Sequence, residues 1–184
     1  MQQSSTPAEI EAPAPRRRFR LHWQDWLSIA IVAVVAYKLL IAPRTFGPPV
    51  PAPALVAAQL DGPRFDLSHE RGHVVFLDFF ASWCEPCKIS LPLVERYARD
   101  HPQSRVYTVD VGDPLPVVRS FARSHHLDRV VIDSDERIAK RFGVDGFPTM
   151  IVVDADGAIR TRWAGLNPAI GLAMQHAQSD LAKE

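Results

Sequence analysis

The only two cysteines of the chain stand two residues apart in C-E-P-C, directly after a near-continuous apolar run, H-V-V-F-L-D-F-F at 73–80. A strand with one wet face alternates apolar and polar residues, so a run of this kind predicts a strand buried on both faces. After the second cysteine, Ile89, Leu91, Leu93, Val94 and Tyr97 recur at helical spacing over 88–99, with Pro92 expected to kink the helix. The thiols therefore sit where a buried strand ends and a helix begins. Two cysteines so close together exclude a disulfide-stapled framework and a four-cysteine zinc site.

The rest of the chain repeats the strand and helix alternation. Strands are expected at 105–111, 130–133, 149–154 and 158–163, helices at 116–125, 136–142 and 168–181, and a short hairpin around 63–67. Asp156-Gly157 marks the turn between the last two strands. The order β-α-β-α-β-α-β-β-α predicts an α/β fold with a central mixed sheet flanked by helices. With 184 residues, one domain of ordinary size plus extensions can be accommodated. Lys+Arg and Asp+Glu are 21 each, so the basic surface that phosphate binding needs is missing and no nucleic-acid partner is expected.

The extensions lie at the N-terminus. Residues 1–25 carry Pro, Ala, Ser and the cluster Arg16, Arg17, Arg18 and Arg20 without apolar periodicity, and predict a disordered cytoplasmic tail. Residues 26–42 are apolar except for Lys38 and predict a single membrane anchor, with the arginines on the cytoplasmic side and everything after it outside. A cleaved signal peptide is the competing reading, with Val34-Val35-Ala36 as its cleavage site; the long leader ahead of the apolar run favours the anchor. Five prolines between 43 and 53 predict an extended spacer over 43–55, with the folded domain over 56–184.

A cysteine at a helix N-terminus has its thiolate stabilised by unpaired backbone N–H groups and the helix dipole. Cys84 is thus the expected nucleophile, and Cys87, one turn in, the thiol that attacks a resulting mixed disulfide. A metal site would need further ligands, and the seven histidines show no matching spacing, so none is expected. The remaining alternative reading is an inert structural bridge, which would constrain little in so small a loop.

W-C-E-P-C after V-V-F-L-D-F-F, Pro92 five residues on, and G-V-D-G-F-P-T followed by V-D-A-D-G together resemble the thioredoxin superfamily. The apolar N-terminal segment, the lead-in D-G-P-R-F-D-L-S-H-E-R-G-H-V-V and the V-D-V-G-D segment are similar to its TlpA/ResA branch of membrane-tethered, extracytoplasmic thiol-disulfide oxidoreductases, over about residues 56–180. The resemblance implies a protein-disulfide oxidoreductase of thioredoxin-like fold, with no cofactor beyond a redox-active Cys84–Cys87 disulfide. It implies exported client proteins, a membrane thiol reductase as electron donor, and reduction as the direction, with cytochrome c maturation as a pathway. It makes Pro148 a cis-proline facing the disulfide, Phe147 the backbone that pairs with a client strand, and Trp83 a flank of the site. Asp78, six residues before Cys84, becomes a buried base for Cys87, with a structural acid as the alternative.

Glu85 and Pro86, between the cysteines, are expected to tune the pair, Glu85 either by opposing the thiolate or as a solvated first-turn residue. Some relatives carry an acid three residues after the second cysteine, where this chain has Ser90. A copper-delivery module using the two thiols is the rival reading, opposed by the two-residue gap and the G-F-P-T loop.

Overall fold

A computed structural model describes residues 23–40 and 45–182. The chain divides into two units, 1–35 and 36–184. The described part of the first unit is the greater part of helix α1, Trp23–Leu40, whose last residues fall in the second unit. Its apolar side chains, among them Leu27, Ile29, Ile31 and Val32, are solvent-exposed. The expected tail lies, up to residue 22, outside the described residues.

The expected membrane span falls on this helix. Among the described residues no helix is long and apolar enough to cross a membrane. Eighteen residues reach about 27 Å against a hydrocarbon core of about 30 Å.

In the second unit, six strands form one mixed sheet: β1 (Thr45–Pro51), β4 (Val75–Phe80), β5 (Arg105–Val111), β6 (Val130–Asp133), β7 (Thr149–Val153) and β8 (Ala158–Ala164), in the order β1-β8-β7-β4-β5-β6. Strands β4, β5 and β6 run parallel, and β7, β8 and β1 complete the sheet antiparallel. β2 (Val56–Ala57) and β3 (Phe65–Asp66) form a separate two-stranded ribbon; β3 lies in the 63–67 segment expected as a short hairpin, but its partner strand lies ahead of that segment. Helices α2 (Glu85–Asp100), α3 (Leu115–His125), α4 (Arg137–Arg141) and α5 (Ile170–Leu181) complete the domain. β1 falls inside the segment expected as a polyproline spacer. It pairs only with β8, and an edge strand tolerates prolines because one row of its backbone groups needs no partner.

Every residue of β4 is buried, as its apolar run requires. Phe76, Phe79 and Phe80 are each 0% exposed, and burying each contributes about 1.5–3 kcal/mol. Val75, Leu77 and Phe79 point to one side of the sheet, into a cluster with Val109, Phe142 and Ile151. On the other side, Phe76 packs with Val94, Tyr97 and Met174, drawing α2 and α5 together, while Phe80 packs with Cys87, Leu91 and Phe121. The turn between β7 and β8 uses Gly157 at φ +74, where a Cβ would meet the Arg71 guanidinium carbon at 2.4 Å.

Candidate functional site

Cys84 caps α2 in an extended conformation, and Pro86 occupies the first turn, where a missing N–H costs nothing. The two sulfurs are bonded, with Cα atoms 5.3 Å apart. The Cys84 sulfur also accepts the Cys87 backbone N–H at 3.2 Å, so the helix terminus is aimed at the sulfur assigned as nucleophile. Cys84 is 4% exposed and Cys87 0%, which leaves Cys84 the more accessible of the pair. Glu85 is an exposed first-turn residue whose carboxylate meets Lys88 Nζ at 2.5 Å.

The Phe147-Pro148 peptide is cis. Thr149 Oγ1 donates to the Gly146 carbonyl at 2.8 Å, and Gly165 N–H donates to the Pro148 carbonyl at 2.8 Å, holding this loop from both sides. Phe147 packs against the cluster containing Cys84 and Cys87, and meets Trp83 edge to face at 5.9 Å. Trp83 is 68% exposed beside the pair. The loop and the C-E-P-C turn, about sixty residues apart in sequence, thus form one surface because β7 pairs directly with β4.

Asp78 lies under that surface. It shares a face of β4 with Phe76 and Phe80, so it points toward α2, behind the pair. It is 1% exposed, and its Oδ2 finds no hydrogen-bond partner. Burial, reinforced by the charge of Glu95, pushes its pKa up to about 8.

Three carboxylates that sequence reasoning missed belong to these surroundings. Asp113 accepts the Ser82 N–H at 2.6 Å and its hydroxyl at 2.9 Å, two residues before Cys84. Asp110, 0% exposed, is pushed up to about 8 by burial and then by Asp113. The other missed residue is Glu95, 5% exposed on α2, pushed up to about 7 by burial and then by Asp128. A signal for Glu95 does exist in the sequence: Cys87, Leu91 and Glu95 follow one another at i+4, which puts an acid on the buried stripe. Among the described residues no group of three or more His, Cys, Asp or Glu is arranged to hold a metal.

Residues 46–173 match the Redoxin family. The chain belongs to that family. Within it, this redoxin is 32% identical over 111 residues to the thiol-disulfide oxidoreductase ResA of Bacillus subtilis (strain 168), covering 59% of this chain and 62% of that relative. The chain thus spans less than two thirds of the curated relative it matches. A crystal structure assigned as thiol:disulfide interchange protein DsbE from Chlorobium tepidum superposes with a TM-score of 0.68 at 25% identity, over 74% of this chain and 99% of that one. Mycobacterium tuberculosis DsbF, solved in mixed oxidised and reduced forms, superposes at 0.63 with 27% identity, over 70% and 97%. These likenesses place the redoxin on the TlpA/ResA-like side of the thioredoxin superfamily.

Proposed function

We infer that this redoxin is an extracytoplasmic thiol-disulfide oxidoreductase that reduces disulfides of exported proteins. The observation that carries the reading is the position of the Cys84–Cys87 pair at the N-terminus of α2, with the cis loop beside it and a buried carboxyl behind it.

In the reduced state the Cys84 thiolate, held by the helix terminus, attacks one sulfur of a client disulfide. The client's other sulfur leaves as thiolate, and a Cys84–client mixed disulfide forms. Asp78 takes the Cys87 proton, and the Cys87 thiolate attacks the Cys84 sulfur. The Cys84–Cys87 bond closes and the second client thiolate leaves. The client gains two electrons and, in water, two protons; the pair loses the same two electrons. The exposed ring of Trp83 and the backbone of Phe147 receive the client segment as an added strand.

A membrane thiol reductase restores the dithiol in this reading, and cytochrome c maturation, where haem-attachment cysteines must stay reduced, is the pathway it fits. In this reading helix α1 anchors the domain to the inner membrane as a single pass, with the N-terminus on the cytoplasmic side. The test is turnover of the reduced full chain on a protein disulfide. Reduction that requires both Cys84 and Cys87 is expected; reduction that survives Cys84→Ser would overturn the reading.

A further inference from the structure

Asp78 is sealed. Phe76 and Phe80 flank it on β4, Met150 lies beside it on β7, and α2 covers it. If it takes a proton from Cys87, that proton must later reach water. A docked client covers the thiol end of the domain, so the way out has to lie elsewhere.

One side is polar. In register with Asp78 on β5 is Thr108, whose hydroxyl donates to the Arg129 carbonyl at 3.2 Å. Arg129 lines a cavity of about 230 Å³ together with Glu95, Ala98, Arg99, Ser104 and Asp128. Ser104 directly precedes β5, and Asp128 and Arg129 directly precede β6, so the cavity opens at the N-terminal ends of the parallel strands. The Cys84 loop follows the C-terminal end of β4, at the opposite end. Glu95 stands two turns along α2 from Cys87, on the same stripe, roughly 12 Å down the helix axis.

We propose that Glu95 is the positioning residue that carries the proton of Asp78 to and from water in this cavity, keeping the partner of Cys87 in exchange with solvent while a client occupies the thiol face. The proposal rests on the reading of Asp78 as the base for Cys87. Only a proton moves: from Cys87 to Asp78, from Asp78 to Glu95, and from Glu95 to water. The two carboxyls are suited to this exchange, because burial holds Asp78 near 8 and Glu95 near 7, a difference of about one unit. The charged groups acting on Glu95 are Arg99 on its own helix and Asp128 and Arg129 ahead of β6: Asp128 raises its pKa, and the two arginines oppose that rise, while the charge of Glu95 in turn raises Asp78 on the strand that α2 covers.

The experiment follows closure of a preformed mixed disulfide between Cys84 of the full chain and a model client, by stopped flow across pH 6–9, in wild type, Glu95→Gln, Glu95→Asp and Asp78→Asn. Glu95→Gln is expected to slow closure by about tenfold or more and to move the midpoint of the profile to lower pH, since a charge that raises Asp78 is gone. Formate at constant pH, small enough for the cavity, is expected to restore the rate, and Glu95→Asp to retain most of it. A Glu95→Gln profile that superimposes on wild type, or a slowed closure that formate leaves unchanged, overturns the relay. Asp78→Asn separates the two failures: if it closes at the wild-type rate, the reading of Asp78 as base falls first.

Discussion

The Asp113 carboxylate takes both the backbone N–H and the hydroxyl of Ser82, at 2.6 and 2.9 Å, and so ties the loop that carries Trp83 and Cys84 to the end of β5. The tie explains how an exposed indole and a nucleophile can stand at a fixed place outside the sheet.

Asp113→Ala leaves both Ser82 donors without this acceptor. It is expected to destabilise the oxidised domain by about 1–3 kcal/mol and to lower the rate of Cys84 attack on a client disulfide. Urea denaturation and single-turnover kinetics measure the two effects; an unchanged midpoint and rate would contradict the tie.

Asp78 makes a prediction about pH. Its carboxyl sits near 8 in the folded chain against 3.8 when exposed. Between about pH 4 and 8 the folded chain keeps a proton that the unfolded chain has lost, so this group makes stability fall as pH rises through that window and level off above it. Asp78→Asn is expected to flatten the fall and to be more stable than wild type near pH 8 by about 1–3 kcal/mol, read from denaturation across pH 4–9. Glu95 and Asp110, raised in the same direction, leave part of the slope in place.

Much of this was legible in the sequence because it depends on local pattern. The all-buried β4, the strand over Arg105–Val111, the helix opening at the thiols and the glycine turn at Gly157 each follow from apolar run length, helical spacing or turn chemistry. The misses depend on long-range pairing. Nothing local marks Thr45–Pro51 as a strand, since its prolines are tolerated only because β8 offers one edge. Asp113 reads as a loop acid until the parallel pairing of β4 and β5 brings their C-terminal ends together.

The unequal placement of the thiols predicts unequal mutants. Cys87→Ser removes the closing attack and is expected to accumulate mixed disulfides with exported proteins, while Cys84→Ser accumulates almost none. Non-reducing gels of the two strains measure this; equal trapping would contradict the assignment of Cys84 as the attacker.

Glu85 stands between the cysteines, but its carboxylate is exposed and already paired with Lys88. Glu85→Gln is therefore expected to shift the potential of the couple by less than about 20 mV, because exposed pairs contribute little. A larger shift would assign Glu85 the stronger tuning role.

The central claim is that Cys84 and Cys87 form a reducing couple, and its midpoint potential tests that most directly. Equilibrating the full chain against a dithiothreitol or glutathione series, with the fraction of free thiol read by alkylation, should give one two-electron transition nearer to about −270 mV, the value of thioredoxin. A midpoint near about −120 mV, the value of a strong oxidant such as DsbA, would contradict the account.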